Sequence, residues 1–537
     1  MTETPRTVRA AAGMGAITAV SRAFGFVRVL VIAAVLGTTY LGNAFQSANA
    51  VSNVLFELVA AGALSAVLVP AFVDLLAKGD QPGAEHVAGG VLGVAMSGLG
   101  ALAAIGMLAA PLLARLLTLG VPPDVADEQQ DLVAFLLVFF LPQVVLYSAG
   151  TVATGVLHAR RRFLAAAAAP IANTLVMVGF LLAFRSATGG SVSLSLTTSE
   201  RLLLAAAGTG GVLAFTAVLV GACRASGFHL VPRRPRGDAR VWGLLRHAGW
   251  GVVLHTSAGV LLAGAILAGA AVEGGVVAYN VAWVFFLAPY AIFTQPIHTA
   301  ILPELVAETR AGDGERYDTS VRWAVERIGL TILPISALMV ALAGPGMRLV
   351  SFGEAEVGDG PELLAVALAS LAVGLFPYGL FLMLSRAFYA RNDARTPGLV
   401  AIAVAVVGVI ILVVGSPFTS GTARLALIGL AHSAASAVGA VALLILLHRR
   451  VGSRVLSPVV AAMGLVSLLA GLAAYAVGAA VGSAVDGRLG DLLACGAGGA
   501  IGAVMVLGGY RVLGVGRRLT ARRGEDPAPV IATASGS

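Results

Sequence analysis

Three arginines, Arg22, Arg28 and Arg386, stand inside long apolar runs of this chain. A charged side chain at the centre of a membrane helix costs about 2.5–3.5 kcal/mol on insertion scales, so such groups turn to a cavity or a partner. A guanidinium keeps its charge and meets phosphate through paired, charge-assisted hydrogen bonds. Arg22 and Arg28 are therefore candidates for capturing an anionic headgroup; the plainer alternative is snorkelling or an internal ion pair. Ideal helix geometry sets them about 120° apart, so both can border one wide cavity. Arg386 lies near the end of its run, where snorkelling is easy and a gating role is the alternative. The second run carries Gln46, Asn49, Asn53 and Glu57 within about 80° of one another, with Asn43 to one side. Such a stripe does not face lipid; it lines a cavity or joins two helices. Glu57 can offset a first-run arginine or hold a proton or monovalent cation. His255, His298, His432, Gln143 and Gln295 are weaker candidates, each read first as a packing contact.

The elements that must position these residues are membrane helices. Of the 537 residues, 58% are hydrophobic and 12% charged, against roughly 45–50% and about 25% in soluble domains. Runs long enough to span recur near 10–36, 44–73, 87–109, 132–157, 164–184, 202–221, 247–271, 276–306, 328–344, 363–389, 398–415, 425–447, 455–480 and 492–510. The fold class is thus an all-α polytopic membrane protein of about fourteen transmembrane helices. No cleavable signal peptide is expected, because Met1 to Arg9 is short and polar and the next run can span. With both termini in the cytoplasm, inside segments hold 26 of the 35 Lys and Arg residues and outside loops hold six. That is the positive-inside bias. The net charge of +8 therefore reads as topology, not as a nucleic-acid surface.

An internal repeat divides the chain. Ser65 to Asp80 aligns without a gap on His298 to Asp313, with Pro70 on Pro303 and Gly79-Asp80 on Gly312-Asp313. Leu157 to Arg160 resembles Phe388 to Arg391 at nearly the same offset. Two pseudo-symmetric six-helix lobes plus two extra C-terminal helices follow, with a substrate site between the lobes. The expected boundaries are 1–222 for the first lobe, 223–246 for a basic cytoplasmic linker and 247–450 for the second lobe. The extra pair takes 451–514 and a basic, then disordered tail 515–537. Pro142, Pro289, Pro296, Pro303 and Pro377 lie in apolar runs and imply kinks or breaks.

Catalysis has no support in these motifs. The chain has no phosphate-binding Walker loop, no His-Glu-x-x-His and no Gly-x-Ser-x-Gly. Cys223 and Cys495 follow no metal or redox spacing and read as ordinary thiols. No cofactor and no metal are expected. A transport cycle would draw on the membrane potential or a monovalent cation.

Several segments resemble the bacterial MurJ/MviN lipid II flippases, of the multidrug/oligosaccharidyl-lipid/polysaccharide exporter superfamily. They are Ser21 to Arg28, Asn43-Ala44-Phe45, Ala61 to Ser65, Val69-Pro70 and, most closely, Arg386 to Pro397. The resemblance covers roughly residues 10 to 515. It implies a flippase that moves lipid-linked peptidoglycan precursor from the inner to the outer leaflet of the bacterial plasma membrane by alternating access. The implied partners are a polyprenyl-pyrophosphate-linked glycan, the phospholipid bilayer and cell-wall synthesis or division proteins; helices within 451–514 would hold the lipid tail. The implied pyrophosphate contacts are Arg22 and Arg28. Asn43, Gln46, Asn49, Asn53 and Glu57 complete the central cavity, and Arg386, Arg391, Asp393 and Arg395 form a gating or cytoplasmic-end group. The chain departs from the family pattern at Phe56-Glu57, where a basic residue is common, at Asn43 in place of aspartate, and between Tyr279 and Pro303, which lacks arginine. Export of another lipid-linked oligosaccharide or a drug is the alternative within transport; a non-transporting scaffold for cell-wall enzymes is the alternative outside it.

Overall fold

The computed structural model describes residues 5–56, 63–234, 249–452 and 455–514. Among these residues all regular structure is helical. The first lobe holds α1 (Pro5–Leu36), α2 (Tyr40–Phe56), α3 (Ala63–Ala77), α4 (Gln81–Leu108), the short α5 (Ala110–Leu117), α6 (Pro123–Phe140), α7 (Gln143–Ala159), α8 (Phe163–Ala187) and α9 (Thr198–Ala225). The second holds α10 (Gly249–Ala270), α11 (Gly275–Pro289), a π-helical turn (Tyr290–Thr294), α12 (Gln295–Ala311), α13 (Gly314–Ala341) and the short α14 (Ala343–Val350). It continues through α15 (Gly360–Ala372), α16 (Leu375–Ala390), α17 (Arg395–Gly415) and α18 (Gly421–Val451). The helices α19 (Pro458–Ala484) and α20 (Gly487–Val512) pack on each other and on α13 and α14.

Among the described residues ten helical runs are long and apolar enough to cross a membrane, and α15 with α16, bent by 43°, makes an eleventh. The expectation of fourteen exceeds that number by three segments. These are 10–36, 44–73 and 247–271, which are helical in α1, in α2 with α3, and in α10. Glu57, most of the basic linker and the tail after residue 514 lie outside the described residues. The start of the linker does not leave the bundle: Arg233 donates its amide to the carbonyl of Gly89 on α4 at 2.8 Å.

Proline explains three of the breaks. Pro142 divides α6 from α7, Pro289 and Pro296 flank the π turn, and Pro377 follows the bend before α16. A proline gives no amide to the ladder and its ring crowds the preceding turn, so the helix kinks or changes pitch there.

The repeat is visible in the backbone as well as in the residues. Gly79 and Gly312 both take left-handed dihedrals, with φ of +74° and +70°. Asp80 then caps the amide of Gly83 at 2.8 Å, and Asp313 caps that of Arg316 at 3.0 Å. Arg161 and Asn392 share φ of +57° and are the only non-glycine residues with positive φ among those described. Each closes its helix with the same pair of bonds: Arg162 to Leu157 at 2.8 Å and Arg161 to His158 at 3.0 Å, against Asp393 to Phe388 at 3.0 Å and Asn392 to Tyr389 at 2.9 Å. These are Schellman closures, which need a left-handed residue just past the helix.

Burial separates the two ends of the molecule. At one end Ile32, Leu36, Leu41 and Phe45 of the first lobe share a core with Ile266, Ala270 and Val276 of the second. Val29 and Ala33 of α1 join the second lobe's own core. At the other end the first lobe's core is built from Phe72, Val91, Val156, Leu219 and Phe228, with no residue of the second lobe. The lobes are therefore sealed at the end carrying Leu36; below Val29 they meet through single contacts, such as the Phe26 and Phe285 rings 5.2 Å apart, and Val20, Arg22 and Val27 are exposed.

Candidate functional site

At the sealed end α2 begins just beside the turn between α10 and α11. Asn43 is fully buried there; its Nδ2 donates to the carbonyl of Val272 at 2.7 Å, and its Oδ1 accepts from the amide of Val276 at 3.0 Å. The partner turn comes close because Gly274 is left-handed, with φ of +70°, and a Cβ at that position would sit 2.4 Å from the backbone of Thr38. Expected as a cavity residue, Asn43 instead joins the lobes, since both ends of its amide are committed to backbone groups. Gln46, one turn on, is buried as well.

Below this junction the shared core gives way to separate lobe cores, and α1 runs along the boundary between them. Arg22 is exposed, and its Nη2 donates to Oε1 of Gln295 on α12 at 3.3 Å, across the boundary. Arg28 is partly buried and lies within electrostatic range of Tyr147 on α7. Tyr147 donates its hydroxyl to Oδ1 of Asn53 at 3.4 Å. The adjacent Ser52 is spent on the carbonyl of Phe140 at 2.7 Å, which fixes α2 against α6. Asn49 and Asn53 are partly exposed. Arg22 thus faces the second lobe, while Arg28 and Asn53 both lie beside Tyr147 of the first. Among the described residues neither Arg22 nor Arg28 has a carboxylate within 4 Å.

The remaining candidates fall in two places. Arg386 is partly buried in α16 and lies beside the hydroxyl of Tyr290, within electrostatic range of His298 and Tyr389. Arg391, Asp393 and Arg395 cluster at the junction of α16 and α17. Arg391 lies over the ring of Tyr317, 5.3 Å from its centroid. Asp393 accepts from the amide of Thr396 at 2.9 Å and its hydroxyl at 2.7 Å, and pairs with Arg450 of α18. Burial acts to raise the Asp393 carboxyl, but the bonds from Thr396 and Arg450 outweigh it and hold the group below the usual carboxylate range. This cluster ties three helices together.

Gln295 gains a partner across the boundary. Tyr147 and Tyr290, which no sequence pattern singled out, stand against Arg28 and Arg386. The signal for both lay in the long, proline-broken runs that carry them. Gln143 donates to Thr209 at 3.0 Å and serves packing between α7 and α9. His432 packs its ring against Trp283 at 4.7 Å in an edge-on contact. The side chain of His255 lies outside the described residues. Among the described residues no group of three or more His, Cys, Asp or Glu side chains is placed to hold a metal. A separate cavity of about 350 Å³ lies at the sealed end between α13, α14, α15 and α19.

A family model described as lipid II flippase MurJ matches residues 32–487. The probable lipid II flippase MurJ of Rhizobium tropici is 28% identical over 442 residues, 81% of this chain and 80% of the relative. The lipid II flippase MurJ of Burkholderia cenocepacia is 26% identical over 410 residues, 74% of this chain and 76% of the relative. Among solved structures, a lipid II flippase MurJ in an inward closed conformation superimposes with a TM-score of 0.72 at 17% identity, covering 93% of this chain and 99% of the other. An inward-facing multidrug resistance transporter of the MATE family gives 0.64 at 16% identity, covering 80% and 94%. The two structural likenesses speak for the fold, and the family match over most of the length speaks for descent: this multi-pass membrane protein belongs to the lipid II flippase MurJ family.

Proposed function

We propose that this protein is a lipid II flippase, carrying the lipid-linked peptidoglycan precursor from the inner to the outer leaflet of the bacterial plasma membrane. The single observation that carries the reading is the contrast between the two ends: a core shared by both lobes at one, and at the other separate cores with the exposed Arg22 at the boundary. The chain alternates sides with its termini in the cytoplasm, so the sealed end is the outer one and the cavity opens inward. Charge supports this orientation, because Arg160, Arg161, Arg162, Arg310, Arg449 and Arg450 fall at the open end. No chemical step on the cargo is needed, so the protein acts as a carrier and not as an enzyme.

In this cycle Arg22 and Arg28 take the pyrophosphate. Their paired N–H donors match phosphate oxygens, and the low dielectric between the lobes strengthens the attraction. Asn49 and Asn53 offer donors and acceptors to the sugar hydroxyls. Release outward requires Asn43 to leave Val272 and Val276 while the open end closes. Each charge moved through the membrane potential gains about 2.3 kcal/mol per 100 mV, enough to bias a charged carrier without ATP.

Expression in cells depleted of their own lipid II flippase tests the reading, with lipid II in the outer leaflet as readout. Rescue by the wild type and loss of rescue in an Arg22→Ala, Arg28→Ala double variant are expected. A membrane-inserted wild type that gives no rescue overturns lipid II as the cargo.

A further inference from the structure

Arg386 sits in the last turns of α16, which runs from the sealed end toward the open end. Helical side chains lean toward the N-terminus of their helix. Arg386 accordingly turns back into the second lobe, toward the π turn, instead of reaching outward as a snorkelling residue does.

The groups around it form a relay. Tyr290 and Nδ1 of His298 are 3.3 Å apart. His298 is fully buried, and its ring also faces the backbone of Gly379. With the Tyr290 hydroxyl donating to Nδ1, the phenolic oxygen is left to accept from the Arg386 guanidinium beside it. Tyr290 and His298 thereby orient the arginine while using little of its capacity of five donors. Among the described residues no carboxylate lies within 4 Å of Arg386, so its charge is unbalanced inside a span.

A second unmet group lies on the same broken helix, one turn before His298. Thr294 is fully buried, and its Oγ1 has no hydrogen-bond partner. In an α-helix a threonine returns its hydroxyl to the carbonyl one turn back. Here the π turn gives the Tyr290 carbonyl to the amide of Gln295 instead. The Thr294 side chain lies against Gly379, the same backbone that His298 faces. An unbalanced guanidinium and an unspent hydroxyl, both set beside one broken helix, are what a small oxyanion requires. Paired guanidinium donors favour phosphate in particular.

We propose that Arg386, held by Tyr290 and backed by Thr294, is a phosphate-binding site in the second lobe, separate from Arg22 and Arg28. Its ligand is a phosphate-class anion, supplied by the pyrophosphate of the lipid cargo or by free inorganic phosphate. Only the first of these sources rests on the flippase reading.

Inorganic pyrophosphate, titrated into purified full-length protein while its thermal unfolding is followed, tests the site. An Arg22→Gln, Arg28→Gln background removes the other arginines. In that background the unfolding midpoint rises with pyrophosphate and not with gluconate at equal ionic strength. Adding Arg386→Gln abolishes the rise. Thr294→Val, which keeps the shape of the side chain, weakens apparent affinity by about tenfold, the size of one lost hydrogen bond to a charged group; it also stands in if Arg386→Gln fails to fold. No rise in the background, or a rise that survives both substitutions, overturns the site. The source follows from outer-leaflet lipid II measured with Arg386→Gln alone. Lost transport with lost binding assigns the cargo, whereas intact transport with lost binding assigns free phosphate. If the wild type moves no lipid II, the flippase reading fails and the titration alone still decides whether the site exists.

Discussion

Asn43 holds Val272 of the opposite lobe through a 2.7 Å hydrogen bond and takes the amide of Val276 on its other amide atom. The junction needs a donor and an acceptor on one side chain at once. An amide supplies both at any pH. Asn43→Ala leaves a buried carbonyl and a buried amide unmet, at about 1–3 kcal/mol each. The population is expected to shift from the sealed toward the outward-open state. Modification of a cysteine placed at Ala270 by a membrane-impermeant thiol reagent, in a background lacking Cys223 and Cys495, should rise accordingly; unchanged modification removes Asn43 from the gate.

Asn43→Asp sharpens the point. A carboxylate can accept from Val276 but repels the carbonyl of Val272, and only the protonated acid can make both bonds. The seal in this variant is expected to hold at low pH and to weaken as pH rises through the titration of the buried acid. The wild type should show no such dependence over that range. The same cysteine assay, run as a pH series on both proteins, gives the comparison.

Arg22 and Arg28 are expected to contribute separately to cargo binding. Each charged hydrogen bond is worth about 1.5–3 kcal/mol, so replacing either arginine by alanine should weaken binding of a short-chain polyprenyl pyrophosphate by about 10–100-fold. Lysine at either position keeps the charge but loses the paired donors, and should fall between arginine and alanine. Equal binding by all three at one position would show that its arginine does not touch the phosphate.

How much of this was legible in the sequence follows from the range of each interaction. The apolar runs and the charge bias disclose the helices, because both are local properties of the chain. The repeat was readable at low identity because left-handed closures tolerate few residues, so Gly79-Asp80 and Gly312-Asp313 persist where their surroundings have diverged. Asn43 was visible as a polar residue in an apolar run, but its role was not, since its partners are backbone groups more than two hundred residues away. The prolines announced a break between Pro289 and Pro296. They could not show that the break would be a π turn, nor that Arg386, from a helix far along the chain, would face it.

The cluster at Asp393 should govern the stability of the open end. Its carboxyl lies below the usual carboxylate range, held there against burial by Thr396 and Arg450. A group depressed on folding adds stability above its unfolded titration, and the gain is lost as pH falls through the folded value. The unfolding midpoint should therefore be level near neutral pH and decline in acid below the ordinary aspartate range. Asp393→Asn keeps an oxygen that accepts from the Thr396 amide but loses the pair with Arg450, so it is expected to lower stability at neutral pH by about 1 kcal/mol or less and to flatten part of the acid decline. An acid decline of the same size in the variant would mean that other carboxylates set it.

One ion pair joins α20 to α14. Arg348 of α14 donates from Nε and from Nη2 to Oδ1 of Asp491 on α20, both at 2.7 Å. The Asp491 side chain is only 12% exposed, whereas that of Arg348 is half exposed. Removing the two partners should therefore have unequal effects. Arg348→Ala strands a carboxylate in a dry site, and breaking a buried pair in this way costs about 3–5 kcal/mol in the limit of full burial. Asp491→Ala leaves an arginine that can still reach water, and should cost less. The double variant should be more stable than Arg348→Ala, because no buried charge remains unpaired. Thermal unfolding of the three purified variants measures this ordering. Equal losses in both single variants would mean that water reaches Asp491, and that packing of α19 on α13, not the ion pair, holds these helices to the second lobe.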